Sequence, residues 1–299
     1  MKSHNMTYHL HGYWNFFRSM ELRLSFSIII MDDMHTNQYK ELPKSNEHKK
    51  RISVSGERRF AGLIGKELKY TRLAYPDFDT FQGKVGEIVD AYAPLNAAQR
   101  ISVIDIGCGY GFTADIILNS RPDIELYAID NEPLVISQAY EFLEHWRAER
   151  TFSIIEADAL SFVRKAVDNS FDIVASVLTL HNFNSKYRNQ FLKELPRILK
   201  PGGLFINADK YALKGHARHD ALINEIGRYF DAFIPLGKYD LLREWVLHHV
   251  LDNTPGRLMP EDSSVKQLKA LGFGETRTVY RNNMIAILLA KKPPSAISE

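Results

Sequence analysis

Apolar and polar positions sort along the chain into two regimes that meet near residue 60. Residues 1–60 scatter aromatics (Tyr8, Tyr13, Trp14, Phe16, Phe17) among polar stretches and a basic cluster (Lys49, Lys50, Arg51, Arg58, Arg59), with no sustained period of 2 or 3.6. This pattern predicts a weakly ordered extension whose cations face solvent. Over 60–92 the period turns helical: Leu63, Ile64 and Leu68, then, after Pro76, Phe81, Val85 and Ile88 fall on one face. Apolar runs at 101–106, 125–129, 153–156, 171–177 and 204–208 then alternate with helical patterns at 112–119, 133–147, 160–167 and 185–200. In the second of these helices Pro133 suits the first turn, and Val135, Ala139, Phe142, Leu143 and Trp146 share a face. Short strands alternating with helices predict a parallel sheet covered on both sides. After Lys210 the rhythm breaks. Two amphipathic helices over 212–233 (Leu222, Ile226, Tyr229, Phe233) and 239–251 (Leu242, Trp245, Val246, His249) predict an insertion over the sheet. A helix over 263–271, stopped by Gly272, and strands at 276–280 and 284–290 follow, with Arg281, Asn282 and Asn283 as a tight hairpin turn. Residues 293–299 form a polar tail.

Composition narrows the classes. The 299 residues are 45% apolar and 25% charged, as in an ordinary globular protein. Lys plus Arg (38) against Asp plus Glu (36) leaves +2, which predicts no dominant polyanion-binding face and disfavours nucleic acid as a partner. The single cysteine, Cys108, cannot form an internal disulfide, so a cytoplasmic location is expected. The longest apolar run, 24–31, is interrupted by Ser25 and Ser27 and falls far below the ~20 residues that span a bilayer. Glu21 and Arg23 before it and Asp32 and Asp33 after it also fit a signal peptide poorly, so no membrane association is expected.

The densest chemical signal is Val103-Ile104-Asp105-Ile106-Gly107-Cys108-Gly109-Tyr110-Gly111-Phe112, three alternating glycines between a strand and a helix. Glycines there permit positive φ and a close approach of backbone to ligand, while the helix start offers free N–H groups. The dinucleotide fingerprint needs a further glycine where Phe112 stands, so a nicotinamide or flavin ligand loses weight. Asp130 ends the next strand, where a carboxylate can accept from two ribose hydroxyls or cap the following helix, a task Asn131 could also perform. One strand further, Asp158 could accept from an adenine amine or lie in a surface loop. Asp105 could hold a ligand ammonium or brace the glycine turn.

These segments, with the strand Phe171-Asp172-Ile173-Val174-Ala175-Ser176-Val177-Leu178 and Leu199-Lys200-Pro201-Gly202-Gly203, resemble the class I S-adenosylmethionine-dependent methyltransferases. The resemblance covers about 70–292. It implies an α/β, Rossmann-like seven-stranded sheet with an antiparallel last strand and a helical lid (212–253) inserted after strand 5, within a methyltransferase domain at 61–292. It also implies S-adenosyl-L-methionine as cofactor, held by Asp105, Gly107, Cys108, Gly109, Gly111, Asp130, Asn131, Asp158, Ala159 and Ser176. Tyr75-Pro76-Asp77-Phe78-Asp79 and Phe205-Ile206-Asn207-Ala208-Asp209-Lys210 are similar to small-molecule methyltransferases and, more remotely, to carboxy-S-adenosylmethionine synthases. The synthases' asparagine in the strand-four segment aligns with Val177 here, which removes a polar anchor for their extra carboxylate.

Methyl transfer from a sulfonium is an in-line displacement, so positioning and water exclusion come first and a base second. His181, in Thr179-Leu180-His181-Asn182 after the fourth strand, is the candidate base; packing against the next helix is its alternative role. Asp209, Lys210 and Tyr211, after strand 5, and Trp245, in the insertion, are candidate substrate contacts. His216, His219, His248 and His249 lack a metal-site signature, so no metal is expected. Cys108 reads as a small packed side chain, and Tyr229, Phe230, Phe233 and Tyr239 as core or pocket wall. The expected partner is a small-molecule methyl acceptor, with homodimerisation left open.

Overall fold

A computed structural model describes residues 59–75, 77–95 and 100–294. The expectations for 1–58, Pro76 and the end of the tail lie outside the described residues. Seven strands make one sheet: β1 (Ile101–Ile106), β2 (Ile124–Asp130), β3 (Thr151–Glu156), β4 (Phe171–Val177), β5 (Leu199–Lys210), β6 (Thr276–Asn282) and β7 (Ile285–Lys291). Their order is β3-β2-β1-β4-β5-β7-β6. The first five are parallel, and β7 runs antiparallel against β5, with Asn207 opposite Leu288. Every residue of β4 is buried, which is why it reads as a continuous apolar run and not as an alternation. The chain order reverses beside β1, whose neighbours are β2 and β4, and such a switch point opens a crevice at the carboxyl ends of the strands.

Helices cover both faces. Ile101 and Val103 pack toward one core, shared with α1 (Leu63–Lys66), α3 (Phe78–Asp90), α4 (Phe112–Ser120) and α5 (Pro133–Phe142). Ile104 and Ile106 point to the other, formed with α6 (Ala159–Lys165), α7 (Ser185–Ile198) and α10 (Glu261–Ala270). The insertion after β5 is two helices, α8 (Gly215–Phe233) and α9 (Tyr239–Asp252). Its Tyr229, Phe233 and Trp245 join the first core, with Phe233 stacked on Trp245 at 6.5 Å and Tyr75 edge-on to it at 6.0 Å.

Several boundaries differ from the periodicity. The lead-in is α1, one 3-10 turn at Leu68–Tyr70, α2 (Thr71–Ala74) and then α3. In α3 the third buried position is Val89 and not Ile88, because Phe81, Val85 and Val89 follow one another at i+4. α5 stops at Phe142, and Trp146 sits in a separate 3-10 turn where its Nε1 donates to Asp115 Oδ1 at 2.7 Å. β5 begins at Leu199, ahead of the Pro201–Gly203 stretch, and its pairing with β4 shifts between Phe171 and Ile173. Arg281 and Asn282 belong to β6; the turn is Asn283 and Met284, with Asn283 at φ 58°. Asparagine tolerates that left-handed conformation through its short polar side chain.

Candidate functional site

One cavity of about 1070 Å³, counting its open mouth, lies over the carboxyl ends of β1, β2 and β4, with α9 along its wall. Its floor is the glycine turn. Gly107, Gly109 and Gly111 have φ of 71°, 56° and 100°. A Cβ on Gly107 would stand 2.4 Å from Thr179, whose Oγ1 already donates to Gly107 O. A Cβ on Gly109 would come 3.5 Å from Leu68, a cavity residue, so the missing side chain keeps that space clear. Gly111 caps the start of α4, whose Phe112 and Thr113 border the cavity with the first-turn N–H end of the helix.

Asp130 reaches back over the turn. Its Oδ2 accepts from Gly109 N–H at 3.0 Å and its Oδ1 from Glu132 N–H at 3.1 Å. A carboxylate can accept about four hydrogen bonds, so lone pairs remain on both oxygens toward the cavity. Burial raises its pKa, against the pull of these backbone donors. Beneath the turn, Asp105 is fully buried and neither oxygen has a hydrogen-bond partner. Burial, followed by the nearby Asp130 charge, pushes its carboxyl from the ordinary 3.8 up to about 7. The glycine end thus presents two carboxyl groups with unused accepting capacity and, among the described residues, no cation beside them, an arrangement suited to a cationic ligand with vicinal hydroxyls.

The other end is built around His181, on a 3-10 turn at Leu180–Asn182 directly after β4. Asp209 grips it twice: Oδ1 lies 2.5 Å from His181 Nδ1, and Oδ2 accepts from His181 N–H at 3.2 Å. The acceptor at Nδ1 assigns the ring proton there and leaves Nε2 with a lone pair. That Nε2 is buried without a hydrogen-bond partner and stands 3.6 Å from Asp252 Oδ2. Asp252 in turn accepts from Arg59 Nη1 at 2.7 Å and pairs with Lys210 Nζ at 3.3 Å; Lys210 pairs also with Glu225 at 2.8 Å. Arg59 Nη1 reaches Asn182 Oδ1 at 2.6 Å, and its Nη2 donates to His248 Nδ1 at 3.2 Å. Burial would raise the Asp252 and Glu225 carboxyls, but His248, His181, Lys210 and Arg59 hold Asp252 well below the usual range, and Lys210 and His249 do so for Glu225. Burial lowers His248 to about 3, keeping it neutral.

His181, His248 and Asp252 could bring three ligand atoms within 4.8 Å of one another. Arg59 already occupies two of these groups. Because arginine only donates, its bond to His248 Nδ1 puts the His248 proton on Nε2, the atom that faces Asp252 at 3.7 Å. The cations of this cluster are therefore side chains.

Of the residues expected at the site, Gly107, Cys108, Gly109, Asp130, Asn131, Ala159, His181 and Trp245 border the cavity. Asp105 lies under the turn, Gly111 shapes the helix start, and Ser176 is fully buried in β4 with its hydroxyl unpartnered. Asp158 is used structurally: it caps α6 by accepting from Ser161 N–H at 2.8 Å and accepts from Tyr187 Oη at 2.8 Å. Asp209 faces His181, and Tyr211, 1% exposed, accepts from Asn207; neither borders the cavity as a substrate contact would. Tyr229 and Phe233 are core, and Tyr239 is exposed. Arg59, expected in solvent, has a side chain only 7% exposed, since its partner Asp252 neutralises it. Sequence reasoning missed Arg59, Asn182, His248 and Asp252; the only local signal was the i,i+4 spacing of His248 and Asp252 on one helix face.

Residues 104–207 match a family model described as a methyltransferase domain. A carboxy-S-adenosyl-L-methionine synthase of Yersinia pestis (strain Pestoides F) is 23% identical over 154 residues, 50% of this chain and 54% of that protein, so the chain spans about half the length of the curated relatives it matches. Among solved structures, the CurJ carbon methyltransferase has TM-score 0.55 and 19% identity, over 77% of this chain and 60% of its own. An O-methyltransferase family protein from Burkholderia thailandensis has TM-score 0.56 and 14% identity, over 82% and 64%. At such identities the likeness shows the fold. No helix among the described residues is long and apolar enough to cross a membrane. The chain carries a methyltransferase domain, matched over residues 104–207, on the class I S-adenosylmethionine-dependent fold.

Proposed function

We propose that the protein transfers a methyl group from S-adenosylmethionine to a small-molecule acceptor, with His181 taking the acceptor's proton. The observation that carries this reading is the His181–Asp209 pair, held at 2.5 Å, whose His181 borders the same cavity as the glycine turn and Asp130. The residues at the glycine end fit the cofactor. Asp130 has lone pairs for the ribose hydroxyls, Gly107 and Gly109 leave room for its backbone-hugging part, and the unpartnered Asp105 suits its positive charge. When bound, the cofactor supplies an electrophilic methyl on a sulfonium. Asp209 fixes the His181 ring and its tautomer, so that Nε2 can receive the proton from the acceptor X–H as X gains the methyl group. Asp252, 3.6 Å from Nε2, favours the imidazolium that results. The apolar wall, including Leu68, Phe78 and Trp245, excludes water from the reacting atoms.

Incubating the purified protein with S-adenosylmethionine and fractionated metabolites, and following S-adenosylhomocysteine by mass spectrometry, tests this. His181→Asn and Asp209→Asn are expected to lower turnover by about 10²-fold or more while cofactor binding persists. Unchanged turnover in both would remove the base. Similarity to the carboxy-S-adenosylmethionine synthases supports a second reading, carboxyl transfer to the cofactor itself. Against it, Val177 offers the cavity no polar group. The mass of the cofactor product separates the two.

A further inference from the structure

Two carboxylates flank the His181 ring, and the cation that answers one of them comes from the segment ahead of α1. Asp209, on β5, holds Nδ1; Asp252, at the end of α9, presents Oδ2 to Nε2 at 3.6 Å. Lys210 Nζ stands 2.8 Å from Glu225 Oε1 and 3.3 Å from Asp252 Oδ2, so its charge is drawn first to Glu225. Arg59 Nη1 lies 2.7 Å from Asp252 Oδ1, with both side chains buried, and is the closer cation for Asp252. Arg59 also wraps the turn itself. Its Nη1 donates to Asn182 Oδ1 at 2.6 Å, and its Nη2 to His248 Nδ1 at 3.2 Å, whose ring stands edge-on to His181. Two further arginines reach the turn through its backbone: Arg188 of α7 donates to Leu180 O at 3.2 Å, and Arg257, after α9, to Asn182 O at 2.5 Å. Without Arg59, His181 would stand between two carboxylates in a buried site. An opposite charge within about 4–6 Å favours the charged form of a group by roughly 1–3 pK units, and burial weakens the screening of such a pair. A proton held at Nε2 would occupy the lone pair that a general base needs.

We infer that Arg59 is a positioning residue for the proton transfer: by pairing with Asp252 it keeps that carboxylate from locking a proton onto His181, so the base is ready only while Arg59 is seated. This rests on the reading of His181 as the base and adds its control. Arg59 touches neither of the reacting molecules in this role and acts through Asp252. The segment ahead of α1 thereby becomes part of the site, because the charge it brings sets the protonation of a ring on a distant turn.

The test is a pH titration of the full chain, treated with EDTA and free of cofactor, followed by NMR of its carbon-13-labelled histidine rings. The His181 signal is assigned by its loss in His181→Asn. In Arg59→Met the midpoint of the His181 transition should rise by about one pH unit, a tenfold gain in proton affinity. Arg59→Lys, which keeps the charge, should return most of the way to wild type. Asp252→Asn should move the midpoint down by about one unit. The opposite signs separate electrostatic control from loosening, since opening the turn to water would move both variants the same way, toward the ~6.5 of free histidine. If Arg59→Met fails to fold, Arg59→Gln, whose amide can keep bonds to Asn182 and Asp252, carries the same expectation, and its contrast with Arg59→Lys decides even without Asp252→Asn. A midpoint in the uncharged Arg59 variant equal to that of wild type, or displaced in the same direction as in Asp252→Asn, overturns the inference. The readout is the ring's own protonation and not turnover. Unchanged turnover in His181→Asn would therefore strike the base reading while leaving the measured coupling in place.

Discussion

Asp105→Asn separates the contribution of one buried carboxyl to stability from its contribution to cofactor binding. Asp105 is fully buried, has no hydrogen-bond partner on either oxygen, and is raised from 3.8 to about 7 by burial and then by Asp130. An upward shift of about 3 units corresponds to about 4 kcal/mol. The sign follows from proton binding: between about pH 4 and pH 7 the folded protein keeps a proton that the unfolded chain has lost, so stability falls as pH rises through that window. Above pH 7 the whole shift, on the order of 4 kcal/mol, counts against the cofactor-free fold. Asparagine, of similar shape and uncharged at every pH, is free of this dependence. Urea unfolding of both proteins without cofactor at pH 5 and pH 8 measures it. The stability difference, Asp105→Asn minus wild type, should grow by a few kcal/mol between the two pH values. Titration with S-adenosylmethionine at pH 8 should show weaker binding by Asp105→Asn, because the unpaired carboxylate is the natural counter-charge for a cationic ligand. A wild-type protein whose stability relative to Asp105→Asn does not change from pH 5 to pH 8 would refute the buried, unpartnered carboxyl.

Lys210→Met should destabilise the protein by about 3–5 kcal/mol in urea unfolding, since it leaves Glu225 and Asp252 buried around a missing cation. Adding Glu225→Gln to that variant should recover part of the loss. Because Glu225 and Asp252 are held well below their ordinary pKa, their stabilisation is full above about pH 4 and is lost as the pH falls further, so acid unfolding should be steeper in wild type than in the double variant. The glycines should divide by mechanism. Gly107→Ala puts a Cβ 2.4 Å from Thr179 at φ 71° and is expected to cost about 2–4 kcal/mol of stability by strain and overpacking. Gly109→Ala meets only Leu68 at 3.5 Å, so it should fold with a loss of about 1–2 kcal/mol from its positive φ. Its Cβ projects beside the cavity, so calorimetry should show its cofactor affinity falling tenfold or more. Equal cofactor affinity in Gly109→Ala and wild type would move the cofactor away from this turn.

The centre of the sheet was legible because its strands β1 and β4 are buried on both faces. Val103, Ile104 and Ile106 leave no alternation to misread, and the glycine turn marks the carboxyl end of β1 without ambiguity. What periodicity misplaced was decided by single residues. Trp146 left the α5 helix for a 3-10 turn where its N–H finds Asp115, and Asn283 took the left-handed conformation that sets the final hairpin one residue later than the polar run suggests. Within the site, Gly107, Gly109 and Asp130 are separated by one βαβ step, so their meeting could be read from local pattern. Arg59 and Asp252 are 193 positions apart and could not. Arg59 read as one cation of a solvated cluster, and Asp209 as a group offered to substrate, because nothing short-range reveals that each has a buried partner waiting on a distant element.

The division of charge along the cavity bears on why its two ends differ. At the glycine end Asp105 and Asp130 stand without a neighbouring cation among the described residues, an arrangement that is costly unless a positive ligand arrives. At the His181 end, Asp209, Glu225 and Asp252 face Arg59 and Lys210, leaving a single negative charge more than positive. Methyl transfer discharges the sulfonium and releases one proton. A site for that reaction needs a counter-charge that binds the cofactor in its cationic form and lets go of the neutral product, and somewhere to put the proton. On the proposed reading, the uncompensated carboxyls serve the first need. On that reading the one excess negative charge, on the far side of the His181 ring at Asp209, serves the second, because a protonated His181 would bring that cluster to neutrality.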